Sequence, residues 1–585
     1  MPSSHALKHA SDVTTFVTDQ ALYTKTLCGA HNAKPIHPLW FSQVCGGSNT
    51  GASLLQLPSE LLDHITELLS IADLASMALV NTACRQLARS RQFANIHLSY
   101  TTPEASGIRN VLADESAARM ENPMISSPTL GVCVRSLTVA SVILMDSFFV
   151  RWWKLEDLPS LFMPEVSRER AIELVANNYF DVYVRNLSDA LRYVLPNLEI
   201  LRWEDKVCIT PELMNAITAS GVRELEMAGV FVDREFVVDE RPRWGLRGLV
   251  MDIQRAKGCR NVNTAPLCMS ILKAAAQTLE ELEWVNGEVT RFDAAEFDPP
   301  LRFPQLRSLV LQNTEIDSEL LEALISENNP QLRLRILTVA SSSASEYLSR
   351  RGHIDTLQVY HTLAPLSPSD AVFIGANSQL HKLTAPCASD SLVLGTLLPT
   401  LTDFRHLTNL YLVWDSKTID IRALESIGGV KSLTHLWLSA GTQSGNIHDW
   451  VAPHDAMVTA FCQLQKLRVL VFTRDTYEQP LAGEPPEKYY ILRQHPDGVE
   501  GDEGTPGFQQ RSEAAWELWH VEEMRRVASD YADVLERLEL VFLGQLEANV
   551  RQEWWKEPGK RIDDWCFGKA KSRAWVPSGR DKSIM

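Results

Sequence analysis

The ten cysteines of this 585-residue chain include no Cys-x-x-Cys pair, and the two nearest, Cys259 and Cys268, stand nine positions apart. That spacing offers neither a zinc ribbon nor a dithiol motif, and in a long chain it reads as scattered thiols of a reducing compartment. Basic runs are also missing. Lys and Arg number 56 against 73 Asp and Glu, for a net charge of −17. Nucleic acid is therefore not an expected ligand, since phosphate binding calls for a positive surface. The most apolar stretch, residues 137–150, is interrupted by Asp146 and falls short of the ~20 residues a bilayer span needs. No membrane segment is expected. No basic start joined to an apolar core suggests a secretory leader, so the sequon at Asn186 reads as chance.

Catalytic signatures are lacking too: no G-x-S-x-G elbow, H-E-x-x-H pair, Walker loop or dinucleotide glycine fingerprint occurs. The acidic pairs Asp563-Asp564 and Glu522-Glu523 are sequence neighbours, which diverge on helix or strand and read as solvated faces. His361, His381, His406, His435 and His448 lie at irregular intervals and suggest no metal site. The expectation is a cytoplasmic or nuclear protein with no catalysis, no cofactor and no metal.

The chain does have a globular composition, 45% hydrophobic and 22% charged, at a length that can bury a large core. It also has a repeat, apolar-x-x-Leu-x-apolar. Copies start at Leu198, Val222, Leu246, Leu279, Leu306, Leu334, Ile354, Leu380, Leu407, Leu433 and Leu467, with an early copy at Val134 and a late one at Leu535. The steps fall mostly in or near the ~20–29 residue period of leucine-rich repeats. The last apolar positions of each unit alternate with polar ones, as a half-buried strand requires. Helix-like stretches at 211–220, 266–277, 317–326, 420–427 and 455–465 lie between, several opening on Pro or Asp. The fold class is therefore α/β: three amino-terminal helices, then an irregular leucine-rich-repeat solenoid with parallel strands concave and helices convex. The repeats are degenerate. Only Asn286, Asn313 and Cys387 occupy the turn position where regular repeats place Asn or Cys, while Asp205, Ile253, Trp414 and Arg474 stand there in other units.

Residues 57–84 read LPSELLDHITELLSIADLASMALVNTAC. Pro58 suits a first helical turn, and Glu60 sits in its positive end. Leu61, Leu62, Ile65, Leu68 and Leu69 are spaced for one apolar face. Ser70 and Asp73 can restart a helix carrying Leu74, Met77 and Ala78, and Asn81 can cap a third. Helices this short are marginal alone and need a partner surface. The run resembles the F-box. Leu57, Pro58, Glu60, Ile65, Leu68, Leu69, Asp73, Leu74, Leu79, Val80, Cys84 and Arg85 fall where that family's pattern wants them, while Asn81 replaces a more usual Ser or Cys. The repeats resemble the divergent arrays of fungal-type F-box proteins.

The resemblance implies a substrate-recognition subunit of an SCF-type, cullin-RING ubiquitin ligase. A Skp-type adaptor would meet Leu57, Pro58, Glu60, Leu61, Ile65, Leu68, Leu69, Leu74, Leu79, Val80 and Cys84, and the repeats would hold a protein substrate. The alternative is a non-ligase repeat scaffold. On the concave face, Glu226 and Glu283 would offer acid to the substrate in early repeats, with Tyr360, Tyr411 and Trp437 as aromatic anchors further on. The expected organisation is a disordered segment over 1–50, the F-box over 54–98, a linker over 99–131 and the solenoid over 132–475. A flexible acidic Pro/Gly-rich insertion over 476–510 follows, then a final repeat with a Trp-rich cap over 511–585.

Overall fold

The computed structural model describes residues 53–98, 103–122, 129–140, 182–205, 208–238, 244–256, 259, 261–285, 301–312, 318–325, 332–340, 342–363, 365–388, 393–414, 416, 418–440, 443–444, 447–448, 450, 452–473, 525–544 and 546–549. The expected amino-terminal segment, the 476–510 insertion and almost all of the Trp-rich tail lie outside them. A division between Leu334 and Arg335 separates two compact units.

The first unit begins with α1 (Ser59–Glu67), α2 (Ile71–Met77) and α3 (Thr82–Gln92). Strand β1 (Asn95–Leu98) follows, and then α4 (Pro103–Glu121). A linker was the expectation for 99–131. Instead, the Ala-, Glu- and Arg-rich stretch has the intrinsic preference for helix, and its apolar residues lack the periodicity that would have announced it. Strands β2 (Ser136–Val139), β3 (Ile200–Trp203), β4 (Glu224–Val232), β5 (Gly248–Arg255), β6 (Glu281–Val285) and β7 (Ser308–Gln312) complete a parallel series running from β1 in chain order. Helices α5 (Arg185–Tyr193), α6 (Pro211–Ala219) and α7 (Ala265–Ala275) lie between strands.

Register explains the repeat. Leu137, Leu201, Leu225, Leu249, Leu282 and Leu309 are successive partners across the strands. Each is at most 1% exposed. Fully burying one leucine is worth about 1.5–3 kcal/mol, so this row is the spine of the unit. Coils are also tied at their corners. The Arg223 N–H donates to the Glu199 carbonyl (2.8 Å), Arg247 to Arg223, Glu280 to Arg247 and Arg307 to Glu280 (2.7 Å each).

The second unit repeats the pattern over β8 (Ile336–Val339), β9 (Val359–Thr362), β10 (Lys382–Ala388), β11 (Asn409–Trp414) and β12 (His435–Ser439). A two-stranded antiparallel ribbon, β13 (Gln443–Ser444) with β14 (Ile447–His448), leads to β15 (Val469–Thr473) and β16 (Leu540–Gly544), and antiparallel β17 (Leu546–Asn549) ends the series. Its helices include α8 (Ser342–Arg351), α9 (Pro368–Ala376), α10 (Ile421–Gly428) and α11 (His454–Phe461).

Two repeats sit three residues later than the sequence spacing suggested. Tyr360 pairs with Leu337 on one side and Leu383 on the other, so the coil reads Leu357-Tyr360-Thr362 and not Ile354-Leu357-Val359. The steps around it become 357 − 334 = 23 and 380 − 357 = 23. Likewise Val541 pairs with Leu470, so the late copy is Leu538-Val541-Leu543. The slip has a physical cause. The turn before each strand carries its own buried apolar residue, such as Leu195, Phe303, Ile354, Val430, Leu464 or Leu535, whose carbonyl accepts from the N–H three residues on. Apolar residues thus recur every three positions, and a frame moved by three still matches.

Candidate docking surface

The three amino-terminal helices are held by local chemistry. Ser70 and Asp73 form a capping box at the start of α2: the Asp73 N–H donates to Ser70 Oγ at 3.2 Å, and the Ser70 hydroxyl donates to the Asp73 carboxylate at 2.6 Å. Asn81 Oδ1 accepts the Cys84 N–H at 2.7 Å and starts α3. Such caps are each worth about 1 kcal/mol. The inner side of the three helices packs Leu55, Leu62, Ala83, Cys84 and Leu87 against Cys133, with Leu57, Met77 and Val132 partly buried around them. Cys133 and Val132 belong to the turn before β2, so the helices share their core with the first coil. Gln86 seals that junction, its amide donating to the Thr129 carbonyl at 2.6 Å and to Cys133 Sγ at 3.1 Å.

The outer side is apolar and bare. Leu61 is 50% exposed, Leu68 76%, Ile71 80%, Leu79 81% and Val80 70%. Pro58 and Glu60 are exposed beside them, while Leu57, Ile65 and Leu69 are half-buried. Leu74 and Cys84 face inward, at 6% and 5% exposure, and hold the knob together without reaching its surface. The four leucines and one isoleucine of the first stripe do not share one face. Leu62 turns in and Leu61 out because adjacent helical residues point about 100° apart, and α1 ends at Glu67 before Leu68 and Leu69 are reached. Two surface members escaped the sequence reading, Ile71 and Leu54, the latter 42% exposed. Their signal was the apolar density of Leu68-Leu69-Ser70-Ile71 in a turn, where polar residues are the rule.

The strand faces away from the helices divide into an acidic and an aromatic stretch. In the first unit Glu226 and Glu283 are half-buried. Arg202 Nε lies 3.2 Å from the Glu226 carboxylate, and the Gln312 amide donates to Glu283 at 3.1 Å. In the second unit Tyr360 is not a surface anchor: the three-residue frame shift places it in the core at 0% exposure. Its hydroxyl donates to Asp370 at 2.6 Å, and Asp370 also accepts from Ser345 at 2.8 Å and from the Ser367 hydroxyl at 2.5 Å. Burial and the neighbouring carboxylate push the Tyr360 phenol well above its usual range. Tyr411 and Trp437 do lie on the strand side away from the helices, alternating with the core leucines, with ring centres 4.7 Å apart. Both are buried, however, in a cluster with Leu363, Val413 and Val471. Nearby, burial and the Lys382 charge bring His361 down to about 4, and its ring contacts Thr384 Oγ1 at 2.5 Å. The turn positions Asp205, Ile253 and Trp414 are buried, and Asn286, Asn313 and Arg474 lie outside the described residues.

No group of three or more His, Cys, Asp or Glu among the described residues could hold a metal ion. Burial pushes the thiols of Cys208 and Cys268 up to about 12, so neither is a ready nucleophile. No described helix is long and apolar enough to cross a membrane.

A helical knob with exposed apolar side chains is thus packed on the first coil of a leucine-rich repeat array. Residues 54–95 match the F-box domain family. The chain thus carries an F-box domain followed by degenerate leucine-rich repeats. No curated protein matches it. A solved leucine-rich-repeat protein of Leptospira interrogans is similar at 11% identity and a TM-score of 0.24, over 50% of this chain and 87% of that one.

Proposed function

We propose that the protein is a substrate-recognition subunit of an SCF-type, cullin-RING ubiquitin ligase. Its F-box binds a Skp-type adaptor, and its repeats bind the protein to be modified. The observation that carries this reading is the set of apolar side chains left in water at Leu61, Leu68, Ile71, Leu79 and Val80, within the residues that match the F-box family. Large contiguous apolar exposure marks an interaction surface. Each leucine buried against a partner would contribute roughly 1.5–3 kcal/mol before the cost of association. The chain performs no bond chemistry in this role. It tethers a target near the transferring enzyme and raises its effective concentration. On the repeats, the half-buried Glu226 and Glu283 suit basic residues of a target.

Leu61→Asp combined with Leu79→Asp tests the reading, because both side chains point outward and the inner core is untouched. Co-purification of a Skp-type adaptor should vanish while the melting curve stays in place. An adaptor retained at wild-type level by the double variant, or never bound by the parent chain, would leave only a repeat scaffold.

A further inference from the structure

Between α1 and α2 the chain turns through Leu68, Leu69 and Ser70, among the exposed apolar side chains of the knob. Ser70 is exposed, with φ −68° and ψ 163°, and flanked by Leu68 at 76% and Ile71 at 80% exposure. Carboxylates stand three residues before and three after it, Glu67 and Asp73. No other serine or threonine over residues 53–93 has an acidic residue three positions on: Ser53, Ser59, Thr66, Ser76, Thr82 and Ser90 meet Gln56, Leu62, Leu69, Leu79, Arg85 and Phe93 there. An exposed, extended serine with acid on both sides is what an acidophilic protein kinase can thread into its active site. Ser76, by contrast, sits inside α2 on helical backbone, whereas Ser70 precedes the helix and its hydroxyl is held only by the exposed Asp73 of the capping box.

We infer that Ser70 is a phosphorylation site that switches adaptor docking off. This rests on the adaptor-binding reading above. In the transfer, Ser70 Oγ forms a bond to the γ-phosphorus of ATP and the bond to the β-phosphate bridging oxygen breaks. ADP leaves, and the hydroxyl proton passes through the kinase's base to solvent. The product carries about −1.5 to −2 charges at neutral pH. Free in water, that phosphate disturbs only the surface capping box. Its oxygens replace Oγ as acceptors for the Asp73 N–H, and the exposed Asp73 carboxylate is free to swing away. Docked against a partner, the same group would lie between two leucine-type contacts with Glu67 and Asp73 as neighbours and no cation of its own turn to meet it. Burying a dianion in an apolar contact without a partner is strongly unfavourable. The modification therefore acts on binding and spares the fold.

The full-length chain is incubated with an acidophilic serine/threonine kinase and ATP, the modified position is mapped by mass spectrometry, and Skp-type adaptor affinity is measured by calorimetry. Phosphate on Ser70 should raise Kd at least tenfold with the melting temperature shifted by no more than about two degrees. Ser70→Ala treated with the same kinase should bind as the untreated parent does. Absence of phosphate at Ser70, or a modified chain binding within twofold of the parent, overturns the inference while the adaptor reading stands. An unmodified parent that binds no adaptor overturns both.

Discussion

Leucine serves opposite ends in the two parts of the first unit. In the strands, Leu137, Leu201, Leu225 and Leu249 are sealed between neighbouring coils; in the F-box, Leu61, Leu68 and Leu79 are left half or more in water. The difference lies in what surrounds each residue. A coil inside the series has another coil on each side, so its leucine finds a lid within its own chain. Three helices of 9, 7 and 11 residues have one lid only, the first coil beneath them, and whatever does not face it stays bare. The same residue type thus contributes stability in one place and, in the proposed function, affinity in the other.

Substitutions can break this contrast, and the largest effect should come from the strand spine. Leu225→Ala should cost about 4 kcal/mol, read as a fall in the denaturation midpoint, since its cavity lies between fixed coils. Next comes Asp370→Ala, at about 3 kcal/mol, because it removes the acceptor of the buried Tyr360 hydroxyl and one partner of the buried Ser345 hydroxyl together. Adding Tyr360→Phe should restore part of that loss, and strict additivity in the double-mutant cycle would mean the two groups do not act together.

Acid should come third. His361 falls to about 4 in the fold against about 6.5 when unfolded. The unfolded chain therefore takes up the proton first as pH drops. The contribution is fully present above about pH 6.5 and is lost between there and about pH 4, amounting to roughly 2 kcal/mol once the ring's partial exposure is discounted. A chain whose midpoint between pH 6.5 and 4.5 is unaltered by His361→Gln would refute it. The smallest effect belongs to the knob: Leu68→Asp and Leu79→Asp should each leave stability within about 0.5 kcal/mol, because neither contact exists in the isolated chain. A large loss there would mean the face is covered.

Much of this was legible in the residues. Helix starts near Pro211, Asp420 and Asp455 and the leucine period carried the architecture, because capping and burial patterns are local. Four things were not. The frame at Tyr360 was hidden because a tyrosine and Thr362 replace the expected aliphatics, and only Asp370, ten residues on, makes that tyrosine acceptable inside. Helix α4 was hidden by its uniform mixture of small and charged residues. The division of the F-box stripe into inward Leu62 and outward Leu61 depends on where α1 stops and what lies beneath it, and spacing alone does not carry that information. Burial of Tyr411 and Trp437 was likewise invisible, since alternation says which side of a strand a residue takes and not what sits over it.

The contact of Gln86 with Thr129 and Cys133 has a mechanical consequence. With Gln86 bonded across the seam and Cys133 inside the apolar cluster of the knob, α3 is tied to the turn that leads into β2. In the proposed function, that tie would set the bearing of an object gripped by the neighbouring coils toward whatever grips the knob. Lengthening the chain at the seam by a few glycines would spoil aim long before it spoiled grip.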